Sequence, residues 1–286
     1  MPPGHVRILR VSGRTAEALA DDGRPTTINL PRTIAGGPAA PGDIVEISGE
    51  PPRGRAVRPR SSVLARGTAR GGTRVLAANA EVLVVVVAAV DPPPSLPFID
   101  RYLAAGELGG LRPFVAVTKT DLPHDEAVVA ELSDLYTAVG YTVEQGSATE
   151  GDLVVRIADR IGGIISVLAG HSGVGKSTLT AALTGEARAT GAVSVKARTG
   201  RHTTTDPRLI PLPGGGGVID TAGVRTFHLA PTEGRVLADG FPDIAAASGG
   251  CRFRTCLHAG DDGCVVDEVV APSRLATYRA LLADTR

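Results

Sequence analysis

Gly170-His171-Ser172-Gly173-Val174-Gly175-Lys176-Ser177 is the stretch on which the fold turns. It fits G-x-x-x-x-G-K-[ST]. An apolar run, Ile164-Ile165-Ser166-Val167-Leu168-Ala169, precedes it, and Ser177–Leu183 follows with helical spacing. Strand, glycine turn, helix is the context in which such a segment binds phosphate. The glycines let backbone N–H groups converge on phosphate oxygens, and the helix N-terminus adds partial positive charge. Lys176 is expected to reach the β- and γ-phosphates and Ser177 to ligate Mg²⁺.

Outward from this loop, the chain reads as alternating strands and helices. Val82–Val87 is a continuous apolar run suited to a strand buried on both faces. Helical spacing follows over Phe98–Leu108, then a strand at Phe114–Val117, a helix at Glu126–Val139, a short strand at Tyr141–Val143 and a helix at Asp152–Ile161. Past the loop helix come strands at Arg208–Pro211 and Gly217–Ile219. Such alternation implies a parallel sheet wrapped by helices.

Two strand ends carry base-reading residues. Val117-Thr118-Lys119-Thr120-Asp121 is one substitution from N-K-x-D: Asp121 can accept from the guanine N1–H and 2-amino group, which adenine lacks, and the Lys119 stem can lie along the base. Ser147-Ala148 fits the short S-A motif whose backbone N–H meets guanine O6. Downstream, Asp220-Thr221-Ala222-Gly223 is D-x-x-G, an aspartate for Mg²⁺ and a glycine N–H for the γ-phosphate. Gly200-Arg201-His202-Thr203-Thr204-Thr205 offers a threonine hydroxyl, assigned to Thr205, to the same ion. The expected nucleotide set is thus Thr118, Lys119, Thr120, Asp121, Ser147 and Ala148 with Gly170, His171, Ser172, Gly173, Val174, Gly175, Lys176, Ser177 and Thr178. Ser177, Thr205 and Asp220 are the expected magnesium ligands, and Lys176, Thr205 and Gly223 act on the reacting phosphate. Ras-type enzymes place Gln after D-x-x-G to orient water; here Val224 stands there. Either a partner completes the site or another side chain positions water. His202 is the candidate, with a solvent-exposed loop histidine as the alternative.

The base-reading pair precedes the phosphate loop, the reverse of the usual GTPase order. This is a circular permutation, tolerable because domain ends usually lie close together. It also runs the γ-phosphate-sensing segment straight into the C-terminal region.

Composition bounds the rest. With 286 residues the chain has room for two or three domains, and 43% hydrophobic residues suffice for real cores. Basic residues are nearly all Arg; the only lysines are Lys119, Lys176 and Lys196. Formal net charge is zero, but residues 1–74 hold twelve Arg against six acids, and Pro51–Arg74 contains seven Arg and no acid. This points to a polyanionic partner, with a solvated arginine-rich linker as the alternative. Five short candidate strands (Val6–Val11, Thr15–Leu19, Thr26–Leu30, Ile44–Ile47, Ala56–Arg60) between turn signals suggest an OB-like barrel. No aromatic precedes Phe98, so this barrel lacks rings on which bases stack, and RNA contact is expected through arginines and shape. No signal peptide or spanning segment is seen, so a cytoplasmic protein without membrane contact is expected.

All three cysteines lie in Cys251-x4-Cys256-x-His258-x5-Cys264. Three thiolates and an imidazole satisfy tetrahedral Zn²⁺, and ligands this close suit a structural knuckle. Redox chemistry is the weaker alternative, since C-x-x-C is absent.

Permuted order, G-H-S-G-V-G-K-S, G-R-H-T-T-T, a hydrophobic residue after D-x-x-G and the Cys-Cys-His-Cys cluster together resemble the RsgA (YjeQ) family over essentially the whole chain. Thr118 for Asn and Ala222 for Pro are the departures. The resemblance implies a GTPase, slow on its own, that binds GTP and GDP, docks on the 30S ribosomal subunit and its 16S rRNA, and assists late subunit maturation; it also implies that His202 assists catalysis. The expected architecture is multi-domain: an N-terminal all-β OB-like barrel (1–66), a linker (67–80), a central α/β P-loop GTPase, circularly permuted with a mostly parallel sheet (81–229), and a C-terminal mainly helical zinc-binding domain (230–286). A monomer is expected. The competing readings are a P-loop ATPase or kinase, and a zinc- and OB-based RNA-binding protein with a structural nucleotide site.

Overall fold

The computed structural model describes residues 4–149, 151–185, 206–221, 223 and 227–284. Its N-terminal strands are β1 (Gly4–Ser12), β2 (Thr15–Ala20), β3 (Pro25–Asn29), β4 (Ile44–Ser48) and β5 (Arg53–Val57). They run in the order β1-β2-β3-β5-β4, and β4 pairs back onto β1, closing an OB-like barrel. Its interior is filled by Val6, Ile8, Ala16, Ala18, Ile28, Val45 and Val57, every second residue of each strand. β5 begins earlier than the Ala56–Arg60 expectation because Gly54 faces inward. A Cβ there would lie 3.1–3.2 Å from Leu30, Ile34 and Val45.

The segment 67–80, expected as a linker, is not one. β6 (Val63–Gly67) and β7 (Thr73–Ala78) form an antiparallel hairpin. Gly71, at φ 76°, serves its turn, which is closed by Thr68 and Gly72. Leu64, Leu76 and Ala77 are buried in the same core as the central sheet. Interleaved arginines and small alanines disguised this strand, and a bulge at Leu64/Ala65 breaks its alternation.

The central sheet follows the order β10-β9-β8-β11-β13-β12, with β8 (Val82–Ala88), β9 (Arg112–Thr118), β10 (Val143–Gln145), β11 (Ile165–Gly170), β12 (Arg208–Pro211) and β13 (Gly217–Asp220). All neighbours are parallel except β12, which is antiparallel to β13. Helices α1 (Leu96–Leu108) and α2 (Glu126–Ala138) cover one face; α3 (Asp152–Ile161) and α4 (Lys176–Thr184) cover the other. The apolar run of β8 is explained by this: Leu83, Val85 and Val87 serve the first face, Val82, Val84 and Val86 the second. β12 also meets β1 at Arg10–Arg208, joining barrel to sheet.

The C-terminal region holds α5 (Gly234–Leu237), a 3-10 turn (Ala238–Gly240), α6 (Pro242–Ser248), α7 (Val266–Val269) and α8 (Pro272–Asp284). Leu237, Phe241, Ile244, Val266, Leu275, Tyr278 and Leu281 pack together and onto Ala104 of α1. A buried ion cluster pins this module down. Arg274 chelates Asp243 (Nε–Oδ2 2.6 Å, Nη2–Oδ1 2.7 Å) and reaches Asp100 of α1 at 2.7 Å, and Tyr136 of α2 donates to Asp100 at 2.9 Å. Among the described residues, no helix is long and apolar enough to cross a membrane.

Candidate nucleotide site and metal centre

The phosphate loop leaves β11 at Gly170 and enters α4 at Lys176. Gly173 and Gly175 adopt φ of 88° and 85°, the left-handed region that glycine enters without strain. Gly170 is needed for another reason: a Cβ there would lie 2.4 Å from the Val86 carbonyl. Lys176, 6% exposed, is ion-paired with Asp220, so the loop and the D-x-x-G aspartate face one another. Ser177 is exposed in the first turn of α4.

The segments distant in sequence meet here. Thr118, fully buried at the end of β9, directs its hydroxyl at the carbonyls of Val174 (2.5 Å) in the loop and Val87 (3.0 Å) at the end of β8. A Cβ on Gly175 would touch Thr118 Oγ1 at 3.4 Å and Ala148 Cβ at 4.0 Å. Ala148 packs with Val174, and Ser147 bonds Thr149 at 2.9 Å. A Cβ on Gly223 would lie 3.1 Å from the Ser172 N. Thr118, at the end of β9, and Ala148, beyond the end of β10, therefore crowd together with the phosphate loop and D-x-x-G at one edge of the sheet, at the carboxyl ends of its parallel strands. Lys119 adopts φ 62° and donates through Nζ to the Asp91 carbonyl; Thr120 and Asp121 follow, Asp121 exposed. His171 turns its ring edge toward Phe98 of α1, 5.6 Å away.

The second centre lies between α6 and α7. Cys251, Cys256, His258 and Cys264 place their ligand atoms within 4.8 Å of one another. The three sulfurs lie 3.6, 3.4 and 3.5 Å from His258 Nδ1, and Cys251 and Cys264 are 4.0 Å apart. Tetrahedral bonds of about 2.3 Å to sulfur and 2.0–2.1 Å to nitrogen require separations of about 3.5 and 3.8 Å. The donor set fits a metal. Burial holds the His258 imidazole below its ordinary pKa, favouring the neutral ligand form, and pushes the Cys256 thiol up, so a metal must displace its proton. Around the knuckle, Asp261 accepts from Leu257 N (3.2 Å) and Ala259 N (3.1 Å), Arg279 of α8 donates to the His258 carbonyl (2.9 Å) and Tyr278 to the Leu257 carbonyl (2.9 Å).

Comparison with known proteins agrees. The RsgA GTPase family model matches residues 57–230. Small ribosomal subunit biogenesis GTPase RsgA of Ectopseudomonas mendocina is 39% identical over 233 residues, 79% of this chain and 68% of that protein. The same-named protein of Pseudomonas putida strain F1 is 38% identical over 237 residues, 80% of this chain and 68% of that protein. The chain belongs to the RsgA GTPase family. Its members are GTP hydrolases. The fold agrees with YloQ, a circularly permuted GTPase (TM-score 0.72, 23% identity, 99% of this chain and 95% of that one), and with YjeQ from Thermotoga maritima (TM-score 0.76, 23% identity, 99% and 98%).

In this RsgA-family chain the Thr118 hydroxyl reaches the phosphate loop and ties it to the end of β9. His202, Thr203, Thr204, Thr205, Ala222 and Val224 lie outside the described residues. Other supports escaped motif reading. Phe227, 1% exposed, stacks on Tyr102 of α1 at 4.0 Å, and Gly67 N donates to the His228 carbonyl at 3.0 Å, so residues 227 and 228 are fastened to α1 and the hairpin. Arg74 of β7 pairs with Asp206, just before β12, at 2.8 Å. Of the seven arginines between Pro51 and Arg74, Arg60 is structural as well, held by the fully buried Asp43 at 2.7 Å.

Proposed function

We propose that this chain binds GTP with magnesium, hydrolyses it to GDP and phosphate while docked on the small ribosomal subunit, and thereby assists late maturation of that subunit in the cytoplasm. The observation that carries the nucleotide half is the junction of Thr118, Val174, Gly175 and Ala148. It brings the guanine-reading strand ends against the phosphate loop despite the permuted order. The printed names of the relatives support the ribosomal half.

Backbone N–H groups of Gly173–Ser177 cradle the phosphates, and Lys176 exchanges Asp220 for the β- and γ-phosphate oxygens. Asp121 accepts from the guanine N1–H and 2-amino group, Ala148 N–H meets O6, and Lys119 covers the base plane. Thr120 and Thr178 complete the nucleotide contacts. Ser177, Thr205 and Asp220 supply the hard oxygens that suit magnesium, whose charge offsets that on the β- and γ-phosphates. Gly223 N–H senses the γ-phosphate, and His202 orients the attacking water in place of the glutamine that Val224 replaces. Cys251, Cys256, His258 and Cys264 hold one structural zinc. The arginine-bearing barrel and the zinc module contact 16S rRNA, and the protein works as a monomer.

Turnover measured with and without 30S subunits tests this reading: stimulation is expected, and no hydrolysis at any subunit concentration would reject it. Asp121→Asn should shift preference from GTP to xanthosine triphosphate; unchanged GTP binding would remove Asp121 from the site. His202→Ala should lower stimulated turnover and leave GTP affinity intact, whereas equal loss of both would make it a binding residue.

A further inference from the structure

The chain has four Tyr, five Phe and no Trp. Eight of these nine rings are buried, at 9% exposure or less; Phe253 is 49% exposed. Its position is constrained, since it lies between the metal-ligand residues Cys251 and Cys256, in a loop whose shape the cluster sets. It is flanked by Arg252 and Arg254, both exposed. Arg252 places its guanidinium 5.2 Å from the Phe253 ring centroid and is itself fixed by Asp262 at 3.1 Å. The same ring lines a cavity of about 210 Å³ whose wall also contains Arg235, Arg254, Ser248 and a single acid, Asp239. That volume falls below the ~300–1,000 Å³ of pockets for drug-sized ligands, and suits one planar ring system.

We propose that Phe253 is a stacking platform for one unpaired RNA base, with Arg252 and Arg254 on the flanking phosphates. Sequence-tolerant recognition of single strands needs an aromatic face beside cations that follow the backbone. The barrel supplies arginines without rings; the metal knuckle supplies the exposed ring with its own arginines. Arg235 and Arg254 on the cavity wall, with Arg252 exchanging Asp262 for a phosphate, favour a polyanion over a protein surface. Its placement on ribosomal RNA rests on the function proposed above, but stacking itself does not.

The test uses the full chain loaded with zinc and a single-stranded RNA oligonucleotide containing 2-aminopurine, whose fluorescence is quenched on stacking. The wild type should quench it. Phe253→Ala and Phe253→Leu should weaken binding roughly 5- to 100-fold and abolish quenching, while Phe253→Trp restores both. Arg252→Ala or Arg254→Ala should each lower the slope of log affinity against log salt by about 0.7. Metal content and GTP turnover without subunits should stay at the wild-type level in the Phe253 variants. Absence of quenching by the wild type, or equal affinity of Phe253→Ala, overturns the proposal. If Phe253→Ala weakens co-sedimentation with 30S subunits but leaves oligonucleotide binding intact, the ring meets a protein and the proposal also falls. Quenching that depends on Phe253 without any 30S association sustains the platform and rejects the ribosomal reading instead.

Discussion

At the scale of single residues, the site depends on side chains that hold backbone in place as much as on those that touch substrate. Thr118 is the case in point: fully buried, with one hydroxyl facing carbonyls from two segments. Thr118→Val keeps the shape and removes the donor. A neutral buried hydrogen bond contributes about 1 kcal/mol, so GTP affinity is expected to fall about fivefold, with Thr118→Asn near wild type. Titration with a fluorescent GTP analogue measures this, and unchanged affinity in Thr118→Val would show that the tie is idle. The Thr-Lys-x-Asp motif was legible in the sequence because it is local. The partner of its first residue, fifty-six positions away, was not.

At the scale of elements, two parts of the C-terminal region are held by different physics. α8 is clamped by Arg274, 1% exposed between Asp100 and Asp243 and flanked by the Tyr136, Tyr141 and Phe241 rings. Burial opposes its charge, but Asp243 and Asp100 hold it protonated. Removing one partner of a buried pair strands the other charges, so Arg274→Ala should cost about 3–5 kcal/mol, whereas Arg274→Met should cost less when combined with Asp100→Asn and Asp243→Asn. Urea unfolding followed by α8 release reads the difference. The 251–264 loop, by contrast, has no strand or helix among its described residues, and its Cys3His cluster could hold a metal that would fix its shape. Cys256→Ser, or chelation, should release the metal and open tryptic cleavage after Arg252 and Arg254, with GTP affinity kept. Because the thiols must lose protons to bind, metal affinity should fall as pH is lowered; a pH-independent affinity would contradict thiolate ligation. The cluster was legible from Cys/His spacing, while Arg274 looked like any surface helix arginine. Only packing α8 against α1 and α6 buries it.

At the scale of the molecule, the barrel is joined to the sheet by the β1–β12 pairing and by one tightly packed turn. Gly42, at φ 91°, would place a Cβ 2.0 Å from the Ala78 carbonyl and 3.3 Å from Ile219, the residue before Asp220. Asn79 closes the joint, donating to the Gly42 carbonyl at 3.1 Å and accepting from Ser61 N at 2.9 Å. Gly42→Ala should therefore lower stability by about 1–3 kcal/mol through backbone strain and overpacking. The expected signature is a separate, earlier barrel transition in calorimetry. A single unshifted transition would mean that the turn yields freely.

The sequence by itself displayed the motifs. The phosphate loop, Thr-Lys-x-Asp and the Cys/His cluster are short, and their residue types are those that phosphate, a guanine base and a soft cation would require. An unbroken apolar run likewise announced β8, and periodicity and turn signals announced α3 and most barrel strands, since these are local properties. Tertiary structure decided what depends on neighbours remote along the chain: that residues 67–80 contribute a strand to the core, that Thr118 leans on the phosphate loop, that Arg274 is a buried clamp, and that only one aromatic ring is left in the open. Burial is a property of two surfaces meeting, and a linear sequence displays only one of them at a time.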